Sequence, residues 1–358
     1  MAIEIGIKAI LAVIMLMGAL NLAGLLTWVE RKQSAVMQDR IGANRASIFG
    51  IRILGLFHPL ADVLKMLTKE DFVPRGADRF LYTLAPFLSV FFAIPAFAAI
   101  PFGDAIKIGG RVIELQVANL PVGLLYIFAM MSMGVYGVVL AGISSNNNYS
   151  FLGGLRASSQ MISYEVTMGL AAMGIVMVYE SMNLQEIVRA QGTYFWNIIP
   201  KWGIVVQPLG ALLFFVAAMA ETKRIPFDLP EGESEIIGYF VEYSGMKFGM
   251  FFLTDFLETV LLSCMMTTLF FGGWQIPYLY ADGFHCPWGA LWLFPHLWVV
   301  LLGVASFTFK VVFFCWLLMT IRWTLPRFRY DQLMRLGWKM ILPLSLANIV
   351  VTAIFCLR

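Results

Sequence analysis

Charge is what this chain has least of. Of its 358 residues only 13% are Asp, Glu, Lys or Arg, and 60% are hydrophobic. Soluble domains carry about a quarter charged residues, so a soluble globular fold is excluded and counting domains by length does not apply. Cysteine and histidine are scarce as well. Cys264, Cys286, Cys315 and Cys356 form no Cys-x-x-Cys pair, and His58, His285 and His296 show no ligand spacing. That argues against an iron–sulfur cluster or structural zinc. Neither a Gly-x-Gly-x-x-Gly nor a Walker sequence is present, so a redox cofactor or nucleotide has no visible holder. If the chain belongs to an oxidoreductase, it is not the electron-carrying part. An internal repeat is also lacking, which counts against an inverted-repeat transporter.

What the chain does have is long apolar runs. Stretches of roughly 17–25 apolar residues are long enough to span a bilayer. They fall near residues 7–27, 80–100, 119–141, 161–178, 202–220, 246–271, 291–319 and 340–357. The expected fold is therefore all-α and integral to the membrane, one polytopic domain over 1–358 with about eight transmembrane helices. Lys and Arg crowd the polar segments 28–79 and 322–339 and are sparse in the alternate loops. By the positive-inside rule both termini face outward, and the acidic segment 221–245 faces the cytoplasm. Charges follow the first apolar run, with Glu30-Arg31-Lys32, and only Lys8 lies within it near its start. A retained first helix ending at these residues is expected, not a signal peptide.

Segment 28–79 is more than a loop. Leu56, Leu60, Val63, Leu64 and Leu67 recur at helical spacing, with Asp62, Lys65 and Lys69 off the stripe. This pattern predicts an amphipathic helix lying in the membrane interface, started or kinked by Pro59. Lys107-Ile-Gly-Gly-Arg-Val-Ile-Glu-Leu reads as a small hairpin, a plain surface connector.

The chemistry-bearing residues are acids. Glu221, Asp228, Glu231, Glu233, Glu235 and Glu242 sit with Lys223 and Arg224 between two apolar runs. A solvated charged loop is one account of them, and Glu221 with Lys223 and Arg224 as a local ion-pair cluster is another. Asp228 and Glu231 have the spacing of a capping box that opens a short helix toward Tyr239. Asp255 lies about ten residues into the next span, roughly 14 Å deep and close to the midplane. Glu258 follows on the same face. Two carboxylates so close in a low dielectric cannot both ionise easily, which fits taking and releasing protons. Pairing of one of them with a cation such as Lys310 is the alternative. Glu165 is expected about 7 Å below the surface of its span, facing the bundle interior, with a structural pairing to Arg156 as the alternative. The cations after the first helix are accounted for by headgroup anchoring and the helix dipole. A rim for a lipid-like substrate headgroup, or a dock for an acidic partner, would use the same residues.

Several of these stretches together resemble a known family. They are Glu30-Arg31-Lys32 with Gln38-x-Arg40-x-Gly42-x-Asn44, then Pro59-Leu-Ala-Asp62-x-x-Lys65 and Lys69-Glu70-Asp71. Next come Gly154-Leu-Arg156-x-x-x-Gln160-Met-Ile-Ser-Tyr-Glu165 and Glu221-Thr-x-Arg224-x-Pro-Phe-Asp228-x-Pro-Glu231. Glu242-Tyr-Ser-Gly-Met-Lys-Phe248 and Asp331-Gln-Leu-Met-Arg-Leu-Gly-Trp-Lys339 complete the set. Over essentially its whole length the chain is similar to the bacterial H-type membrane subunits of respiratory complex I, the family of mitochondrial subunit 1. The resemblance implies a non-redox-centre component of a proton-translocating NADH:quinone oxidoreductase. Such a component forms the membrane end of the quinone chamber and begins the carboxylate path that couples quinone reduction to proton pumping. Carried over, Glu165, Glu221, Glu233, Glu235, Glu242 and Asp255 are the proton-path residues. Arg31, Arg40, Arg45, Asp62, Arg224 and Phe248 lie at the chamber or its entrance. The chain itself would bind no cofactor and take quinone as substrate. FMN and iron–sulfur clusters are expected in partner subunits, the partners being the hydrophilic quinone module and the other membrane subunits. A bacterial cytoplasmic membrane is the expected location. Departures from the family pattern are Ala43 in place of proline, a stretch one residue shorter between Glu235 and Glu242, and Asp255 in place of glutamate. Two other readings remain open at this point: the homologous anchor of a membrane-bound hydrogenase or ferredoxin-dependent complex, and a stand-alone ion transporter.

Overall fold

The computed structural model describes residues 2–108, 111–195, 198–229, 232, 238–285 and 291–357. It is a bundle of long helices with short antiparallel hairpins at one end. α1 (Ala2–Met37) leads into a coil and the short α2 (His58–Thr68), followed by α3 (Arg79–Ala96). The hairpin β1 (Ile106–Ile108) and β2 (Arg111–Ile113) comes next, in the register Lys107 to Val112, as the sequence predicts. Then follow α4 (Gly123–Ser144), α5 (Asn148–Tyr179) and α6 (Leu184–Gln191). β3 (Tyr194–Phe195) pairs with β4 (Ile199–Pro200) ahead of α7 (Gly203–Val206), α8 (Pro208–Glu221) and α9 (Gly245–Phe270). β5 (Leu279–Tyr280), β6 (Gly283–His285) and β7 (Leu291–Leu293) form a small sheet before α10 (His296–Thr324). α11 (Tyr330–Leu336) runs through a π-helical turn, Gly337–Ile341, into α12 (Leu342–Cys356).

Seven of these helical segments are long and apolar enough to cross a membrane, by length and composition. The expected span at 202–220 differs from them. Gln207 takes a non-helical backbone between α7 and α8, with Pro208 behind it, and leaves an apolar helix of 14 residues. At 1.5 Å per residue that is about 21 Å, short of a ~30 Å hydrocarbon core. The count of eight therefore rests on a broken segment. Gln207 also ties this break to α12: its Nε2 donates to Thr352, and its Oε1 accepts from Asn348 Nδ2 at 2.8 Å.

Two other boundaries shift, each with a physical cause. α1 does not stop at Glu30-Arg31-Lys32 but continues to Met37, because good helix formers run on with no breaker before Gly42. α5 begins at Asn148, capped by Asn147, whose Oδ1 accepts from Tyr149 N at 2.9 Å. Its first turns are rich in small and polar residues and carry little hydropathy signal.

Packing places α9 at the centre, with every residue from 254 to 270 buried against neighbours that include α1, α3, α8 and α10. α3 and α4 approach closely at Gly137, where a Cβ would lie 2.1 Å from Ser89 Oγ and 2.9 Å from the Ala85 carbonyl. Small residues of this kind let membrane helices bring their backbones together. Pro59 does start α2, and none of that helix's residues is fully buried. Leu60, Val63, Leu64 and Leu67 form an exposed apolar stripe, while Met66 reaches Gly249 of α9.

Candidate functional site

The end of the bundle opposite the hairpins gathers the charged side chains. α8 ends at Glu221, and Lys223 takes a left-handed backbone, φ 52°, that turns the chain. Lys223 is buried, and its Nζ lies 2.9 Å from Asp255 Oδ1 and 3.7 Å from Glu258 Oε2 on α9. The cation facing the two acids is thus Lys223. Lys310, the partner expected as the alternative, is committed elsewhere: its Nζ donates to the carbonyls of Phe271, Gly273 and Gln275 at 2.7–3.0 Å, near the far end of α9. Burial by itself would lower the pKa of the Lys223 ammonium. Asp255 and Glu258 outweigh it, and the net effect holds Lys223 well above the usual lysine range.

Glu221 is 1% exposed, and neither carboxyl oxygen makes a hydrogen bond among the described residues. It lies within electrostatic reach of Glu258, Glu165 and Lys223. Glu165 on α5 sits beside Ser132 of α4, while Arg156 lies over the Tyr330 ring instead. Because α5 starts at Asn148, Glu165 is about 26 Å along the helix from its first residue. Asp255, Lys223, Glu258 and Glu221 therefore form one buried row from α9 to the end of α8, with the half-buried Glu165 of α5 next to it. Glu221 feels the charge of Lys223, but among the described residues the ion pairs of Lys223 and Arg224 are to Asp255, Glu258 and Glu30.

Arg224 faces α1. Its Nη1 lies 3.2 Å from Glu30 Oε2, and its guanidinium stacks 4.3 Å from the Phe256 ring centre. The other oxygen of Glu30 accepts from Arg322 on α10. Arg327 Nη2 donates to Asp228 Oδ2 at 2.9 Å. Burial, opposed mainly by Arg327, pushes the Asp228 carboxyl up to about 6. The expected capping role of Asp228 runs through Glu231, which lies outside the described residues. A cavity of about 30 Å³ sits among Lys223, Arg224, Asp228, Asp255, Phe256 and Arg322, enough for a water on polar walls.

The remaining expected residues occupy three places. Arg31 pairs with Asp62 of α2 at 2.6 Å, which ties the interfacial helix to α1 one residue beyond Glu30. Phe248 lies between Phe240 and Phe252 near the start of α9. Arg40 and Arg45 are exposed on the coil after α1, where Arg40 Nε donates to Gln38 Oε1 at 2.7 Å. That coil is folded back on α1 by a bond from Trp28 Nε1 to the Leu54 carbonyl at 3.1 Å and by Lys32 to Asn44. Glu242 stands apart from the buried row. Asn147 Nδ2 donates to its Oε1 at 2.7 Å, and it lines a separate polar recess with Arg75 and Asn146. Glu233 and Glu235 lie outside the described residues. Sequence reasoning missed Lys223 as the partner of Asp255, and Glu30, Arg322 and Arg327 as guanidinium and carboxylate partners. A signal existed for Lys223 alone, a cation two residues past a buried helix end. The others meet only through the fold.

Among the described residues no cluster of three or more His, Cys, Asp or Glu gathers as a metal site. The profile of a family described as NADH dehydrogenase matches residues 8–353. The NADH-quinone oxidoreductase H 2 subunit of Rhizobium meliloti is 46% identical over 330 residues, 92% of this chain and 91% of that one. The H 1 subunit of Cytophaga hutchinsonii is 45% identical over 327 residues, covering 91% and 90%. The H 1 subunit of Geobacter metallireducens is 44% identical over 352 residues, covering 98% and 97%.

Proposed function

The chain belongs to the NADH dehydrogenase family, among the H subunits of NADH-quinone oxidoreductase, and from that premise we propose that it forms the membrane part of a quinone chamber and the first stretch of a proton path. The complex would be a proton-pumping quinone reductase in a bacterial cytoplasmic membrane. NADH, FMN and the iron–sulfur chemistry would belong to partner subunits. One observation carries this reading: the buried row of Asp255, Lys223, Glu258 and Glu221, which leads to the half-buried Glu165, begins beside the Arg224–Glu30–Arg322 group.

Quinone reduction adds negative charge and consumes protons. Arg224, held by Glu30 and backed by the face of Phe256, is a fixed cation at the start of that row. Arg31 and Asp62 steady the rim through which a headgroup would pass. Lys223 is the switch element. Its single positive charge is shared unequally by two carboxylates, nearer to Asp255 than to Glu258. A negative charge developing near the cavity draws the ammonium away from both. Two buried carboxylates left without their cation favour proton uptake by one of them. That proton then faces Glu221, whose oxygens have no hydrogen bond within the described residues to hold the carboxyl in one state. Glu165 is the next acid inward. Glu242, apart from this row, is assigned to the surface end of the path.

The test uses the whole complex purified in mild detergent and returned to liposomes. Asp255→Asn and Glu165→Gln keep shape and hydrogen bonding but remove the titrating proton. Both are expected to assemble with partner subunits and to lose most coupled quinone reduction and proton uptake. Normal turnover with normal proton uptake in both variants refutes the path, and recovery of the chain without redox partner subunits refutes the assembly.

A further inference from the structure

An α-helix ends on carbonyls that have no partner within it. At the end of α8 one of these belongs to Ala220, next to Glu221. Gln160 of α5 donates to it from Nε2 at 2.8 Å. A side-chain amide nitrogen carries two hydrogens, and Gln160 Nε2 also donates to the carbonyl of Phe227, again at 2.8 Å. Gln160 is fully buried. One side chain thus holds both ends of the turn 220–227. Among the described residues, its two bonds are the hydrogen bonds that join this turn to α5.

The turn carries three charged groups of the site, which differ in what else holds them. Lys223 is held at its ammonium by Asp255 and Glu258. Arg224 is held by Glu30 and by the ring of Phe256. Glu221 has no such anchor, since neither carboxyl oxygen makes a hydrogen bond among the described residues. Its carboxyl is placed by the backbone that carries it, and Gln160 grips that backbone one residue earlier. The grip comes from the helix that also carries Glu165, about 7.5 Å further along.

We propose that Gln160 is a positioning residue of the proton path: by tying the turn 220–227 to α5 it sets the separation of Glu221 and Glu165. The inference rests on the path proposed above. A shift between α5 and the end of α8 changes that separation directly, and a misplacement of ~1 Å can cost as much as ~100-fold in rate. Neither carbonyl has Gln160 as its sole donor. Ala220 O also accepts from Lys223 N at 3.3 Å, and Phe227 O from Leu229 N at 3.0 Å. Losing the amide therefore frees the turn from α5 without leaving a buried carbonyl unpaired.

The experiment uses the intact complex in liposomes. Gln160→Met keeps an unbranched side chain of similar length and removes both donors. It is expected to assemble, with kcat for coupled quinone reduction lowered about ten- to a hundredfold. The KM for quinone should stay unchanged, because Arg224 keeps its anchors on Glu30 and Phe256. Amide hydrogen exchange across residues 222–227 should quicken. Gln160→Asn keeps the amide on a shorter arm; it is expected to show the same changes on a smaller scale and decides the matter if the Met variant does not assemble. Tyr179→Phe removes a bond elsewhere on α5, from Tyr179 Oη to the Lys201 carbonyl at 2.6 Å. It should leave kcat, KM and exchange at 222–227 as they were. Unaltered exchange in the Gln160 variants, a raised KM with normal kcat, or an equal loss of kcat in Tyr179→Phe each overturns the proposal. So does normal kcat in the Gln160 variants while Glu165→Gln is impaired, which leaves the path standing. Normal turnover in both Glu165→Gln and Asp255→Asn removes the path, and this role with it, whatever the exchange shows.

Discussion

Lys223 shows how one side chain decides what its neighbours can do. Its burial is tolerated because two carboxylates face it, and those carboxylates are tolerated because it faces them. Removing one partner from a buried ion pair typically costs about 3–5 kcal/mol, more than the pair contributes when intact, because the remaining charges lose compensation. Lys223→Met should therefore lower the thermal midpoint of the complex sharply and abolish coupled quinone reduction. Adding Asp255→Asn to Lys223→Met leaves one acid in place of two and should restore much of the stability but none of the coupling. Thermal unfolding and quinone-reduction assays on the two variants check this, and equal instability of the single and double variants would contradict it. The pairing also marks the limit of sequence reading at this scale. Depth along an apolar run singles out Asp255 as a buried acid. The identity of its cation depends on a left-handed turn at Lys223 after α8, and hydropathy does not report such a turn. Lys310 is an equally reasonable partner by composition, and it is taken by three backbone carbonyls.

Among the elements, legibility follows the strength of the apolar signal. α3, α9 and α12 lie where their apolar runs place them, and α2 starts at Pro59 with its stripe outward. α5 and α1 run longer than their apolar runs because helix propensity continues through polar and small residues after hydropathy has faded. This matters for function, since the extra turns of α5 put Glu165 mid-helix and the extra turns of α1 place Glu30 within a helix. Contact between elements is set by small residues. Gly137 is the point where α4 meets α3, and a side chain there would collide with Ser89 and the Ala85 backbone. Gly134, one turn earlier on the same helix, has open space around the position of a Cβ. Gly137→Val is expected to prevent stable assembly of the chain into its complex, whereas Gly134→Ala, with a better helix former, should assemble normally. Yields of the assembled complex in detergent compare the two directly, and a normal yield for Gly137→Val would show that α3 and α4 need not approach so closely.

Across the whole molecule, Glu30 is the residue that joins distant parts of the chain. Its two oxygens hold Arg224, 194 positions away, and Arg322, 292 positions away. One mostly buried carboxylate thus pins α1, the turn after α8, and the end of α10 at the charged end of the bundle. The same turn of α1 carries Arg31, which holds α2 through Asp62. No spacing in the sequence announces this, because the three partners come together only when the helices have packed. Glu30→Gln keeps the side chain's length but takes from two partly or fully buried guanidinium groups the carboxylate that pairs them, a loss of up to about 3–5 kcal/mol. The expected outcome is a lower thermal midpoint, with a raised KM for quinone because Arg224 loses its fixed position. Pairing Glu30→Gln with Arg322→Gln removes one of the stranded cations. That variant should recover much of the stability while KM stays high, since Arg224 still lacks its carboxylate. Thermal denaturation and quinone titrations separate these two effects. If the double variant regained a normal KM as well, Arg224 would be held by its stacking on Phe256 alone, and Glu30 would serve only to neutralise Arg322.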